Sequence, residues 1–394
     1  DRIRQMDFDV LLCMKESWIM WMAVTYGEYI PKRVAWVHTD YKKSYYTKEW
    51  YTAEEEIRMM QRFQHVVCVS QVIKDSIMED LHAAITRLKE RLGASLCIMG
   101  HHYQNDAVVR HCDITGDSLE LARRVPSVTA EHIVFCGVYF MGESAALLAK
   151  PGQHVYLPSL DADCLMSRMT PAPLARKVLE ELTAQGRKVV PLAYVNTDLA
   201  LKAVVGEYGG AVCTSANAAT MLRWALDQGD SVLFLPDRHL GDNTATGLGI
   251  APADRHVLRI GSKGLVAPDT QALDRKLLLW PGCCAIHARF EPQDILDMRA
   301  AHPGCRVIAH PECREEVVAL CDGAGSKSYL IKEAARVASE NPGSTLVIAT
   351  ENNLVRRLAA RHAGQCDIIP LGHAICGNMA KVTEKKLYDI LRRI

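Results

Sequence analysis

At 394 residues and 49% hydrophobic content the chain is long enough for two or more buried cores, and its 46 basic residues balance its 46 acidic ones. That balance leaves no electrostatic footprint for nucleic acid or an anionic membrane surface, and no apolar run reaches the length of a membrane span, so the expected partner is a small molecule. The opening residues DRIRQMDFDV lack a secretory pattern, and fourteen cysteines in so long a chain form no disulfide framework, so a cytoplasmic protein with mostly buried thiols is expected.

Residues 1–79 read differently from the rest. They hold four of the six tryptophans, strand-like pieces at DVLLCM, RVAWVHT and HVVCVS, and an acidic helical stretch, TAEEEIRMMQRF. From Met78 a helical stretch, LHAAITRLKERLG, hands over at Gly93 to an alternation that runs to the end. Short apolar runs (LCIM, HIVFCGVY, HVYLP, KVVPLAYV, AVCTS, SVLFLP, LLLW, RVIAH, TLVIAT, DIIPL) are mostly followed by amphipathic helical segments such as PLARKVLEELTAQ and NAATMLRWALDQG. This rhythm predicts an α/β fold with parallel sheets flanked by helices. About ten strands group into three small sheets, with divisions near Thr170 and His287. The expected organisation is an N-terminal α/β extension over 1–79, then αβα domains over 80–169, 170–286 and 287–394, the last with a C-terminal helix.

Three of the strand-like runs end in cysteine. HVYLP leads through SLDAD to Cys164, LLLWPG to Cys283 and Cys284 with His287 three residues on, and DIIPL through GHAI to Cys376. Ligands of open α/β sheets sit beyond the carboxyl ends of the strands, so these thiols predict one metal site assembled from three parts of the chain. The other loops on that edge are also polar, among them GHHYQND, SLDADC, YVNT, CTSAN, PDRHLG, HPEC and TENN, and the helix amino termini after them suit an anionic substrate. The common zinc fingerprints CxxC and HExxH are absent. Soft thiolates without a fourth protein ligand suit an iron-sulfur cluster with one open iron, while inert buried thiols remain the alternative.

Several motifs occur together in fixed order: HHYQ (101–104), GDSLELA (116–122), FCGVYFMGES (135–144), DCLMS (163–167), YVNT (194–197), CTSAN (213–217), FLPDRHLG (234–241), WPGCCAIH (280–287), HPEC (310–313), GSKS (325–328) and CGNM (376–379). In that order and spacing residues 80–394 resemble the quinolinate synthase family. The resemblance implies three similar αβα domains with small parallel sheets in a pseudo-threefold arrangement, each giving one cysteine to a central 4Fe-4S cluster, one per chain. By motif the ligands are Cys164, Cys284 and Cys376. The implied reaction condenses iminoaspartate with dihydroxyacetone phosphate to quinolinate for NAD biosynthesis, with an aspartate oxidase or dehydrogenase as the functional link that supplies iminoaspartate. Carried over in the same way, Tyr194, Glu312 and His310 are the acid-base groups, and His101, Tyr103, Ser118, Asn196, Ser215, His287 and Ser326 bind substrate. Where the family usually has Gly-Ser-Thr, this chain has Gly325-Ser326-Lys327. A lysine there either gives a substrate carboxylate a cationic donor or narrows the pocket, so Lys327 joins the site residues.

The segment from Lys32 to Ile77 resembles part of the acceptor-side domain of a bacterial glycosyltransferase with two Rossmann-like domains. A matching sugar-nucleotide domain is absent from the chain, so no activity is assigned to it. Two other readings are carried forward: a cluster-based dicarboxylate-binding or sensor protein without turnover, and a glycosyltransferase-related protein.

Overall fold

The computed structural model describes residues 10–13, 32–37, 65–68, 71–184, 186–266 and 274–394, with side chains from 81 onward. The acidic helical stretch expected at 52–63 and most of the glycosyltransferase-like fragment lie outside the described residues. Two compact units divide the chain, Asp1–Gly93 with Glu384–Ile394, and Ala94–Thr383. In the first, β1 (Val10–Cys13), β2 (Lys32–Val37) and β3 (His65–Cys68) form a parallel sheet in the order β1-β2-β3, and helix Gln71–Leu92 packs against helix Glu384–Leu391. Among the described residues no helix is long and apolar enough to cross a membrane.

The second unit holds three parallel sheets. β4 (Leu96–His101), β5 (Ile114–Gly116), β6 (His132–Cys136) and β7 (His154–Tyr156) pair in the order β5-β4-β6-β7. β8 (Val189–Tyr194), β9 (Ala211–Cys213), β10 (Ser231–Leu235), β11 (Arg255–Val257) and β14 (Leu277–Leu279) pair as β11-β14-β10-β8-β9, beside an antiparallel ribbon of β12 (Ile260–Gly261) and β13 (Gly264–Leu265). β15 (Arg306–Ala309), β16 (Gly323–Ala324), β17 (Thr345–Ala349) and β18 (Asp367–Pro370) pair as β16-β15-β17-β18.

Numbered within each sheet, the first and third share the order 2-1-3-4, and the middle sheet keeps it as β9-β8-β10-β14 with β11 added at the edge. The chain therefore builds one topology three times. The sequence cause is visible in the central strands. LCIMGH, VVPLAY and SVLFL are buried along their whole length, as strands covered by helices on both faces must be. Helices such as Ala172–Thr183, with Ala175, Val178, Leu179 and Leu182 buried at helical spacing, cover them. Each fully buried aliphatic or aromatic side chain contributes about 1.5–3 kcal/mol of transfer free energy, and Phe234, Leu233, Leu277 and Leu278 supply it in the middle sheet.

In a 2-1-3-4 order the connections leave strand 1 toward one side and reach strand 3 on the other. Ligands of parallel sheets bind beyond the carboxyl ends at that reversal. This places the residues after β4 and β6, after β8 and β10, and after β15 and β17 where a site belongs.

Candidate functional site

The threefold repeat sorts the candidate residues. A pair of polar candidates spaced two apart recurs at the end of strand 1 of each sheet: His101, the last residue of β4, with Tyr103; Tyr194, the last residue of β8, with Asn196; and His310 with Glu312 just past β15. Two residues beyond strand 2 come Ser118, Ser215 and Ser326, after β5, β9 and β16. Cys164, Cys284 and Cys376 follow strand 4, after β7, β14 and β18.

A cavity of about 420 Å³ is bordered by all three of these cysteines and by His101, Tyr103, Ser118, Asn196, Glu312 and Lys327. Val138, Phe140, Met166 and Met379 give it apolar wall. Cys283 does not border it. Tyr194, His287, His310 and Ser326 are buried just behind this lining, while Ser215 is half-buried and off the cavity, in the loop whose neighbours Thr214 and Asn217 border a separate hollow.

Backbone geometry explains how the thiols arrive. Gly282 lets the loop after β14 cross close to β10's exit, because a Cβ there would lie 2.5 Å from Pro236 O. The Cys284 N–H then donates to Asp237 Oδ2 at 3.1 Å, and the Cys376 N–H donates to Glu351 Oε1 at 3.4 Å. Asp237 and Glu351 stand two residues past β10 and β17; at the same place past β6 the first repeat has Val138. Cys164 instead caps the short helix Leu165–Arg168, its carbonyl accepting from Ser167 Oγ at 2.7 Å. Burial pushes all three thiols up, Cys164 to about 12.

The imidazoles are oriented by the backbone two residues on. The Tyr103 N–H donates to His101 Nδ1 at 3.0 Å and the Glu312 N–H to His310 Nδ1 at 3.4 Å, so in both rings Nδ1 accepts and Nε2 carries the proton. Burial and then the Lys327 ammonium push His101 down, and burial leads the same shift at His310, so both rings are neutral. His310 Nε2 and Glu312 Oε1 are buried without a hydrogen-bond partner among the described residues. Such atoms cost about 1–3 kcal/mol each unless a ligand satisfies them.

Glu312 is the electrostatic centre. Its Oε2 lies 2.6 Å from His287 Nδ1 and 3.7 Å from His310 Nδ1. Burial works against its ionisation, but the hydrogen bond from His287 and the charge of Lys327 hold the carboxyl well below the usual range, without a charge from the neutral His310 ring. Tyr194 hydrogen-bonds Glu312, and burial followed by that carboxylate's charge pushes its phenol up, so it keeps its proton. His287 stacks on His310 with centroids 4.6 Å apart, and its Nε2 meets Thr350 Oγ1 at 3.1 Å and Tyr103 Oη at 3.4 Å. Thr350 Oγ1 also meets Tyr103 Oη at 2.8 Å. The loop carrying Tyr103 is tied to the third repeat, with Asn353 Nδ2 donating to Tyr103 O at 3.1 Å and Arg357 Nη1 to Gln104 O at 2.7 Å.

Lys327 opens helix Lys327–Glu340, capped by Ser326, whose Oγ accepts from the Tyr329 N–H at 3.4 Å. It is 5% exposed, and its Nζ sits 5.0 Å from the Tyr103 ring centroid. Among the described residues it makes no hydrogen bond or ion pair, so the cavity holds an unpaired ammonium.

Sequence reasoning marked the loops TENN and PDRHLG as polar without giving Thr350, Glu351 or Asp237 a role. Their signal was available only as position, since each lies past strand 3 of its repeat.

Comparison with known proteins shows the family. The family profile described as quinolinate synthetase A protein matches residues 83–394. A quinolinate synthase of Streptomyces coelicolor is 43% identical over 304 residues, covering 75% of this chain and 76% of that one. Those of Acidobacterium capsulatum and Corynebacterium glutamicum are each 42% identical, over 294 and 302 residues, covering 74% and 76% of this chain and 76% and 75% of theirs. From the first helix that the profile reaches to the last residue, the chain belongs to the quinolinate synthase family.

Proposed function

We propose that this chain condenses iminoaspartate with dihydroxyacetone phosphate to give quinolinate, phosphate and water in NAD biosynthesis, at the cavity bordered by Cys164, Cys284 and Cys376. The observation that carries the reading is the convergence of these three thiols, each from a different sheet, on one cavity that no other described cysteine borders. That donor set fits a 4Fe-4S cluster with three protein ligands. When bound, such a cluster supplies a Lewis-acidic iron that has no protein ligand. We take 80–169, 170–286 and 287–394 as the three domains.

The chain's own residues bind and move protons. Two carboxylates and a phosphate need donors and positive charge, and Lys327, the Nε2–H groups of His101 and His310, and the Ser118 hydroxyl supply them. Asn196, Tyr103, His287 and Ser326 complete the binding wall; Ser215 holds the same topological place in the second repeat but stands off the cavity, outside that wall. Glu312, ionised and in contact with His287 and Tyr194, takes the proton lost when imine becomes enamine. Tyr194, still protonated, returns one to a substrate oxygen or carbon, and His310 donates to the group that leaves. An aspartate oxidase or dehydrogenase is the class of enzyme that supplies iminoaspartate.

Protein purified without oxygen and given both substrates is expected to form quinolinate. Full cluster content with dicarboxylate binding but no product would replace this reading with a sensor.

Lys327 gives a sharper expectation. A buried ammonium without a partner costs desolvation that a bound anion offsets, so Lys327→Thr is expected to weaken substrate binding by about 2 kcal/mol, or roughly 30-fold in KM. It also makes KM less sensitive to ionic strength and leaves cluster content unchanged. Steady-state kinetics at two salt concentrations check this, and an unaltered KM at both removes Lys327 from the binding wall.

A further inference from the structure

We propose that the cluster-free chain binds a single divalent transition-metal ion on Cys284, His287 and Glu312, a mononuclear site that shares one thiol with the cluster and excludes it. The ligand atoms of these three residues all lie within 4.8 Å of one another. Cys284 Sγ is 3.3 Å from His287 Nδ1, and Nδ1 is 2.6 Å from Glu312 Oε2. One thiolate, one imidazole and one carboxylate with a fourth position open is a donor set for zinc or ferrous iron. On a tetrahedral ion with bonds of about 2.0–2.3 Å the ligand atoms stand about 3.4 Å apart, so the Nδ1–Oε2 contact has to open by roughly 1 Å, while the thiol and the carboxylate already lie within 4.8 Å of each other.

Two further observations point to a ligand at this place. Glu312 is 2% exposed, and its Oε1 is buried with no partner among the described residues. His287 is fully buried, and its other nitrogen is already held, Nε2 facing Thr350 Oγ1 at 3.1 Å and Tyr103 Oη at 3.4 Å. Hydroxyls accept as readily as they donate, so the ring can carry its proton on Nε2 and turn a bare Nδ1 to the ion, the outer arrangement that metal-bound histidines use. As the ion binds, the Cys284 thiol gives its proton to solvent and the metal–sulfur bond forms. No electrons are transferred.

Cys164 and Cys376 take no part in this site, and that separates it from the cluster reading. Zinc is the probe. Full-length cluster-free protein, both as wild type and as Cys164→Ser/Cys376→Ser, is expected to bind one zinc ion per chain, with X-ray absorption finding one sulfur and otherwise nitrogen or oxygen neighbours. Thr350→Val should weaken zinc about 10–100-fold by releasing the His287 ring, and Glu312→Gln should weaken it at least as much. Zinc-loaded wild-type protein should take up iron and sulfide only after a chelator removes the zinc. Two or three sulfurs around zinc, or loss of binding in the double cysteine variant, overturns the proposal, as does wild-type protein that binds no zinc. A chain that binds zinc in this way yet never builds a cluster refutes the cluster reading alone.

Discussion

Cys164→Ser, Cys284→Ser and Cys376→Ser each abolish cluster and quinolinate formation together, whereas Cys283→Ser keeps both. The expected loss is complete because a serine hydroxyl is a harder and far less acidic donor than a thiol, and two thiolates do not retain a cubane that already has an iron without a protein ligand. The asymmetry between neighbours at 283 and 284 is geometric. Gly282 and the Asp237 carboxylate turn the Cys284 backbone so that its side chain borders the cavity, and Cys283 does not border it. Iron and sulfide analysis of anaerobically purified variants, with turnover measured on the same samples, checks the set. A colourless Cys283→Ser protein beside a brown, active Cys284→Ser protein would shift the ligand by one residue and sink the assignment.

Glu312→Gln is expected to lower kcat by about 10²–10⁴-fold at full cluster content, the usual contribution of a positioned general base. The substitution preserves shape and removes the charge that His287 and Lys327 hold in place. It also leaves the Tyr194 phenol without a carboxylate to accept its hydrogen bond, so Tyr194→Phe should share part of the loss, and the double variant should be worse by less than the product. Single-turnover measurements separate this from weaker binding. A Glu312→Gln enzyme within tenfold of the parent kcat would leave proton transfer to some other group.

Much of this fold is legible in the sequence because buried parallel strands leave long apolar runs. Each run named in the alternation from LCIM to DIIPL contains a strand of the structure. The strands that escape are the short pieces Ile114–Gly116, Arg255–Val257 and Gly323–Ala324 and the ribbon of Ile260–Gly261 and Gly264–Leu265, all too small to make an apolar run, although Ser118 and Ser326 lie two residues beyond the first and third of them. Helix Arg238–Gly247 is hidden for a related reason, since RHLGDNTATG has two glycines, an asparagine and two threonines. Helix Lys327–Glu340 has a regular apolar face at Leu330, Ala334, Val337 and Ala338, and was obscured only by its polar first turn, KSY. The residue roles came from motif order. Spacing placed three thiols past three strands, but choosing Cys284 over Cys283 required the family pattern, and the parts played by Thr350, Asp237 and Glu351 required coordinates.

The repeated 2-1-3-4 order has a consequence for how the site tells one end of a substrate from the other. Three equal copies around an axis would present every ligand atom in triplicate, and a ligand bound there could turn by a third without any change in energy. A cubane on three thiolates is compatible with such an axis, whereas an extended molecule with a phosphate at one end is not. Discrimination therefore resides wholly in the places where the copies disagree: histidine and tyrosine, tyrosine and asparagine, histidine and glutamate after the first strands, a valine against two acids after the third, and a lone lysine beside one of three serines. Substitutions that make the copies more alike should cost orientation before they cost stability.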